Sequence, residues 1–381
     1  MSETYILGIE SSCDETAAAV VRSGEEIVGN VVASQIKTHS PYGGVVPELA
    51  SREHLRNIVP VVRGSLQQSG KTLNDIDAFA VTRGPGLAGA LLVGISYAKT
   101  LAWTLGKPLI SVNHLEGHIH AVLLEARQLP DFELRFPVLS LVVSGGHTHL
   151  YLAEKIGTTW RYQNVGHTRD DAAGEAYDKV AKLVGLGYPG GPIIDALAKF
   201  GDAAAIKFPF AQLKHRDRKD HGKPEPEQPQ FDFSYSGIKT AVLRCVEVEG
   251  MLPKVEARRQ ALLRLDKPTI EDYRAACDQK TLNLIASFQR AIVDDLVSKT
   301  LLAAESYGVA TLLITGGVAA NSELRATFER RAAEEGVQVL FPSRPLSTDN
   351  AAMIAAAAYP KFLARDFAGL DLSAEASLQL R

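Results

Sequence analysis

Gly8–Thr16 reads GIESSCDET and Val142–Thr148 reads VVSGGHT. Each follows a short apolar run, Tyr5–Ile9 or Pro137–Val143, and leads into another, Ala17–Val21 or Thr148–Ala153. Runs of this length and β-branched content read as strands, and the small residues between them as tight turns. A third run completes each set, Ile27–Ser34 and Trp160–Val165, with helical periodicity after both. The chain therefore reads as two halves on one plan. Residue identity between the halves is weak, so the duplication rests on element order. Two mixed α/β units of this kind face each other across a cleft, the usual place for a ligand.

The remaining elements extend that plan. Pro47 suits the first turn of a helix running to about Gln68. Ala78–Thr82 and Pro108–Val112 read as strands, and Gly84-Pro85-Gly86 as a turn into the apolar helix Leu87–Leu105. In the second half, helices are expected near Gly174–Val184 and Pro192–Phe200. After a long helical stretch come a strand at Thr311–Thr315, a turn at Gly316-Gly317 and a helix at Asn321–Glu335. Gln338–Phe341 is the last strand, and Asp349 is expected to open an alanine-rich final helix. Lys214–Pro229, KHRDRKDHGKPEPEQP, lacks apolar periodicity and reads as an exposed insertion.

Composition narrows the function classes. At 381 residues, two domains are the natural expectation. A hydrophobic fraction of 46% and a charged fraction of 22% are those of a soluble globular protein. A net charge of −3 excludes a globally basic nucleic-acid binder while permitting a local basic face. Cys13, Cys245 and Cys277 are too few and too scattered for a disulfide framework or a CxxC zinc site, and they imply a reducing compartment. The polar start shows no signal peptide, and Leu87–Leu105 is broken by Gly89, Gly94, Lys99 and Thr100. No membrane span is expected, and the location is expected to be cytoplasmic.

The chemistry concentrates in the turns and in one helix. Glu10, Ser11, Ser12, Asp14, Glu15 and Thr16 surround the first turn, where hydroxyls and free N–H groups can hold phosphate oxygens. Ser144, Gly145 and Gly146 repeat the arrangement in the second half, and Gly316-Gly317 before Asn321 can admit a flat base or a ribose. Each alone is as well explained by a plain hairpin or by Asn321 as a helix cap. Their pairing points to a bound phosphate. His114 and His118, one helical turn apart, form a recurrent metal chelate. A third ligand must come from elsewhere, and Asp349 is the candidate, with helix capping as its alternative role. A zincin protease carries its glutamate one residue after the first histidine. Here Glu116 is two residues on, about 200° round the helix and away from the histidine face.

These residues together resemble the TsaD family, also called Gcp or Kae, of tRNA threonylcarbamoyladenosine synthesis proteins. The resemblance runs through GIESSCDET, YGGVVPELASREH, GPGLAGALLVG, NHLEGHIHA, VVSGGHT, DDAAGEAYDKVAKLVGLGYPGGP, FDFSYSGIKT, TGGVAANSELR and STDNAAMIA, in the family's order over nearly the whole chain. It implies a duplicated actin/hexokinase/Hsp70-type (RNase H-like) fold around a nucleotide-binding cleft. The first domain would span 1–133, joined by a C-terminal helix at about 355–381. The second would span 134–354, with insertions near 211–230 and 248–269. The implied activity is transfer of threonylcarbamoyl from threonylcarbamoyl-adenylate to the adenosine beside the anticodon, in tRNAs reading A-starting codons.

By the same resemblance, His114, His118 and Asp349 would hold one divalent metal per subunit, iron ahead of zinc. Val142, Val143, Ser144, Gly145, Gly146, Asp178, Gly191, Asp195 and Asn321 would contact the adenylate. Asp14 and Glu15 would matter for catalysis in an unassigned role, and His147 is a general-base candidate by position alone. Implied partners are tRNA, a TsaB-like degenerate paralogue and a TsaE-like small ATPase. Ala351 departs from the glycine of many relatives. Lys214, Arg216, Arg218, Lys219, Lys254, Arg258, Arg259 and Arg264 form a candidate basic surface for tRNA phosphates. The rival readings are a small-molecule kinase or ATPase of the same fold, a metalloendopeptidase (disfavoured by Glu116), and a non-catalytic nucleotide-binding scaffold.

Overall fold

A computed structural model describes residues 3–129, 132–208 and 231–381. The first half contains β1 (Tyr5–Glu10), β2 (Glu15–Arg22), β3 (Glu26–Ser34), α1 (Ile36–His39), α2 (Pro47–Ser69), β4 (Ala78–Gly84), α3 (Ala88–Leu105), β5 (Leu109–Asn113) and α4 (His114–Ala126). The second contains β6 (Val138–Val143), β7 (Thr148–Ile156), β8 (Thr159–His167), α5 (Ala173–Leu183), α6 (Gly190–Ala198), α7 (Ser236–Val248), α8 (Leu252–Leu263), α9 (Ile270–Ala275) and α10 (Gln279–Tyr307). It continues through β9 (Thr311–Thr315), α11 (Ser322–Glu334), β10 (Gln338–Leu340), α12 (Arg344–Ser347) and α13 (Ala351–Ala364).

The two sheets have one topology. Strand order is β3-β2-β1-β4-β5 in one and β10-β9-β6-β7-β8 in the other. In each, the first strand pairs antiparallel with the second and parallel with the fourth, as Gly8↔Ala19 and Gly8↔Ala80 show in one and Leu141↔Leu150 and Leu141↔Ile314 in the other. The duplication is therefore real at the level of topology. β1 and β6 are the central strands, buried on both faces, which explains their continuous apolar runs.

Helix α4 joins the halves. Ala121 and Leu124 pack with the first sheet and α13, whereas Leu115, Ile119 and Val122 pack with Val138, Val142 and Leu313 of the second. A helix buried on nearly every side belongs in an interior, and in α4 Glu125 alone is exposed. Gly117 permits this, because a Cβ there would lie 2.8 Å from Ile354 Cδ1 of α13. Helix α3 is the one helix among the described residues long and apolar enough to cross a membrane. Its inner stripe of Leu91, Ile95 and Ala98 is buried in the first-half core.

Three expectations are corrected. The final helix begins at Ala351, not Asp349, because Asn350 is its cap and accepts from Met353 N at 3.1 Å. Asp349 is thereby free of the capping role. The same helix stops at Ala364, where Arg365 turns left-handed at φ 57°, so the expected helix over 355–381 is mostly absent. The tail runs instead along β4 and β5, through Ala368 N to Leu109 O and Glu375 N to Arg83 O. In the proposed basic surface, Arg258 is buried and grips Val184 O, Ala276 O and Thr281 Oγ1. Lys254 pairs with Asp278 and Arg259 with Glu256. The insertion residues Lys214–Lys219 lie outside the described residues.

Candidate metal and nucleotide site

The first turn of α4 is fixed by Asn113, whose Oδ1 accepts from Leu115 N at 2.9 Å. One turn apart, the His114 and His118 rings meet edge-on with centroids 4.7 Å apart. Asp349 Oδ1 lies 3.0 Å from His118 Nε2 and 3.6 Å from His114 Nε2. One ligand atom from each of the three falls within 4.8 Å of the others. The structure thus brings together three residues from opposite ends of the chain.

The donor set fits a divalent cation on one specific observation. Both His118 ring nitrogens are buried and make no hydrogen bond among the described residues, despite the nearness of Asp349. An unpaired buried polar atom is costly, and coordination would satisfy Nε2. His114 is held from behind. Its Nδ1 lies 3.1 Å from Glu10 Oε2 and 3.2 Å from Ser12 Oγ, leaving Nε2 to face Asp349. A carboxylate behind a ligating imidazole fixes its tautomer and orientation. Glu10 is itself held by Thr82 Oγ1 at 2.7 Å and Ser12 N at 2.5 Å.

Charge favours a cation here. Burial opposes protonation of His114, but Asp349 and Glu10 outweigh it and raise the ring to about 9. Burial also opposes ionisation of Asp349, yet the two histidines hold it well below the usual carboxylate range. A pocket that attracts a proton this strongly attracts a divalent ion for the same reason.

Glu116 takes no part. It pairs with Lys361 at 3.1 Å on the other side of α4, where both line a cavity of about 310 Å³ with His120, Trp160 and Tyr162. No carboxylate of α4 therefore reaches the histidine face to activate a water. His147 approaches the triad, its ring centroid 6.2 Å from that of His114. Burial, then the neighbouring histidines, push it down to about 3, so the ring is neutral but a weak base.

The second-half turn lies beside the triad. Ser144 N donates to His147 O at 2.8 Å, and Ser144 Oγ accepts from His147 N. A Cβ on Gly145, Gly146 or Gly191 would meet nothing within 4 Å, so protein packing does not require these glycines. Close main-chain approach by a ligand would. Gly316 differs, because its φ is 92° and a Cβ added there would lie 2.4 Å from Val143 O, and both require glycine. Val142 and Val143 are wholly buried on opposite faces of β6, so only their main chain can serve a ligand. Asp178 Oδ1 accepts from Gly190 N at 2.7 Å. Burial lifts its pKa against hydrogen bonds from Gly190 and Gly191, with Asp14 adding to the rise. Asp14 of the first half is thus near enough to Asp178 of the second for their charges to repel.

The first turn is less of a phosphate cradle than its hydroxyls imply. Ser11 Oγ donates to Ala90 O, Thr16 Oγ1 pairs with His54 Nδ1, and Ser12 and Glu10 support His114. Asp14 and Glu15 stay half-buried at its end. Burial, then Asp14 and Asp349, lift Glu15 to about 9. Asn321 caps α11 by accepting from Leu324 N at 2.9 Å, and its Nδ2 donates to Gln289. Gln289 also bonds Asp195, and Ser322 donates to Asp195 from both N and Oγ. Gln289 carries no motif signal of its own, whereas Ser322 lies within TGGVAANSELR without being singled out there.

The family model for TsaD, tRNA N6-adenosine threonylcarbamoyltransferase, matches residues 26–356. The chain belongs to the TsaD family. A tRNA N6-adenosine threonylcarbamoyltransferase of Koribacter versatilis is 69% identical over the whole of both chains. One of Moorella thermoacetica is 49% identical, covering 100% of this chain and 98% of its own. Full-length HypF in its phosphate- and nucleotide-bound form superposes on 94% of this TsaD-family chain and 46% of its own, with TM-score 0.56 and 13% identity. That likeness concerns the fold alone, which is α/β of the duplicated actin/hexokinase type.

Proposed function

We propose that this chain is a tRNA N6-adenosine threonylcarbamoyltransferase, taking its acyl group from threonylcarbamoyl-adenylate. The carrying observation is the His114–His118–Asp349 triad beside the open glycine turn Ser144–Gly146, in a chain whose full-length relatives bear that name. The exocyclic amine of the adenosine attacks the carbamoyl carbon, the bond from that carbon to the adenylate phosphate oxygen breaks, and AMP leaves while the amine loses a proton. The donor is already activated, so no ATP is consumed in this step.

The protein's own part is positioning. His114, His118 and Asp349 would hold a divalent ion; two imidazoles and a carboxylate suit iron or zinc, and iron is placed first on the resemblance. Such an ion supplies Lewis acidity where charge develops on an acyl or phosphoryl oxygen. The main chain of Val142–Gly146 approaches the adenylate, Asp178 and Gly191 line its path, and Asp195 and Asn321 meet its ribose. Holding a weakly nucleophilic amine against the carbonyl supplies much of the acceleration. Asp14 and Glu15 act at the same junction.

The decisive assay incubates the protein with threonylcarbamoyl-adenylate and unmodified tRNA, with and without partners, and reads the nucleosides by mass spectrometry. Threonylcarbamoyladenosine is expected. ADP release dependent on a small substrate without tRNA would instead favour the kinase reading.

We infer a TsaB-like partner on the outer faces of α2 and α3, where Leu55, Leu92 and Trp103 are 66%, 58% and 72% exposed. Large apolar side chains left exposed on two neighbouring helices suit a protein interface. Leu92→Asp should leave Tm unchanged, since the side chain is exposed, yet weaken such an association by about thirtyfold or more. Equal association of the variant in sedimentation velocity would refute this surface. A TsaE-like ATPase completes the proposed set, and the cytoplasm, where tRNA is modified, is the proposed location.

A further inference from the structure

Asp195 of α6 and Asn321 at the start of α11 share no direct hydrogen bond among the described residues. Gln289 of α10 joins them. Its Nε2 donates to Asp195 Oδ1 at 3.3 Å and to Glu323 Oε2 at 2.9 Å, while its Oε1 accepts from Asn321 Nδ2 at 2.8 Å. Turning the amide round would set its oxygen against two carboxylates, so the network itself assigns the orientation. At 2% exposure the side chain makes these bonds out of water, where each is stronger and each loss costs more.

The consequence falls on Asp195. Its Oδ1 takes three donors, from Gln289 Nε2, Ser322 N at 3.2 Å and Ser322 Oγ at 2.8 Å. Its Oδ2 receives only the other branch of the Ser322 N–H, at 3.1 Å. A carboxylate oxygen accepts about two hydrogen bonds, so Oδ1 is full and Oδ2 keeps capacity for a donor. A ribose hydroxyl is such a donor, and a carboxylate beside a nucleotide site commonly reads it. Asn321 is held likewise, its Oδ1 on Leu324 N and one Nδ2 hydrogen on Gln289.

We propose that Gln289 is a positioning residue that locks Asp195 to receive the ribose hydroxyls of the nucleotide, making the site select ribonucleotides over their deoxy analogues. This rests on the adenylate reading above. Without the amide, Asp195 is held, among the described residues, by Ser322 alone, so its carboxylate loses the second anchor point and can pivot about that residue, turning Oδ2 away from the ligand.

The test measures binding of AMP and of 2′,3′-dideoxy-AMP to the full chain by calorimetry, for the wild type, Gln289→Met and Gln289→Glu, with Tm for each. Wild type should prefer AMP. Gln289→Met, similar in volume but without the amide, should bind AMP about tenfold more weakly while its affinity for the dideoxy analogue holds, so the preference collapses. Gln289→Glu should do the same or worse, having set a third carboxyl against Asp195 and Glu323. In turnover, KM for the adenylate should rise while kcat and KM for tRNA hold.

Retention of the full preference in both variants overturns the inference, as does an equal weakening of both nucleotides, which marks a purely structural residue. Failure of both variants to fold also overturns it, by assigning Gln289 to the core. If wild type binds AMP without preference, the ribose role of Asp195 fails and the inference with it. If wild type binds neither nucleotide, the adenylate reading fails first.

Discussion

His118→Ala should abolish stoichiometric metal binding and lower threonylcarbamoyl transfer by about a thousandfold, the several kcal/mol that a Lewis acid contributes to a charged transition state. Asp349→Ala should match it, because each supplies one of three donors that share one small region. The measurements are metal content per chain after reconstitution, and turnover by nucleoside mass spectrometry. Tm after chelation serves as the control, since the bond from Thr315 Oγ1 to the main-chain O of His118, which ties α4 to β9, is kept in the variant. A variant with one metal per chain and normal turnover would remove the triad from the mechanism. Glu10 acts one step behind, so Glu10→Gln should loosen the metal by the smaller factor of about 10–100 seen for outer-shell partners.

The pH dependence has a definite sign. In the chelated protein His114 titrates near 9, above its ordinary value of 6.5, because Asp349 and Glu10 outweigh burial. A folded-state pKa raised above the unfolded one stabilises fully below the unfolded value and is lost as pH rises through the folded one. The chelated chain should therefore lose stability between about pH 6.5 and 9, the window between those two values. Metal affinity should rise over the same window, because the ion must displace that proton. Parallel falls in both would contradict the assignment of His114 as a ligand.

The sequence made the fold legible where local pattern and tertiary role coincide. The strands β1, β2, β6 and β7 are apolar and β-branched, and the turns between them are small, so their order and the duplication could be read from the chain. Thr311–Thr315 agreed to the residue. The final helix failed at both ends for separate reasons. Asn350 caps it one residue beyond the aspartate that capping chemistry favours equally well, and Arg365, a good helix former, adopts the left-handed backbone that ends it. Propensity cannot distinguish Asp349 from Asn350 as a cap. The metal geometry can, since Asp349 lies on the histidines.

The site was legible in pieces. The i,i+4 histidines are a local pattern, and the structure adds their support by Glu10, which lies more than 100 residues away. Glu10 stands at the first turn with no role legible in the sequence, because polar residues at a turn look alike whether they face a ligand or a neighbour. Gln289 has no signature at all. A glutamine on a long helix reads as surface, and only the convergence of three helices buries it at 2% exposure.

Arg258 poses the same problem in reverse, and it carries the largest expected effect on stability. Its side chain sits in a stretch of α8 rich in arginine and lysine, which by composition alone resembles a phosphate-binding surface. Instead it is 3% exposed. Its Nε donates to Ala276 O at 3.1 Å, one terminal nitrogen donates to Val184 O, and the other to Thr281 Oγ1 at 2.8 Å. Val184 and Ala276 are the C-caps of α5 and α9, where the helix dipoles leave negative potential and unpaired carbonyls. Among the described residues no carboxylate pairs with it directly, and Asp278 stands one bond behind, accepting from Thr281 Oγ1 at 2.7 Å. Arg258→Met keeps most of the stem's packing but removes three charge-assisted donors from buried acceptors, and should cost about 3 kcal/mol. Arg258→Lys should not rescue it, because one ammonium cannot reproduce a planar fork spanning three acceptors. Arg259→Ala, next in the chain and paired with Glu256 in solvent, should cost less than about 0.5 kcal/mol. Chemical denaturation of the three variants decides between the two roles. If Arg258 served tRNA, Arg258→Met would leave the denaturation midpoint unchanged and flatten the salt dependence of tRNA binding. The structural role requires the opposite pair of results, a lower midpoint with an unchanged salt slope.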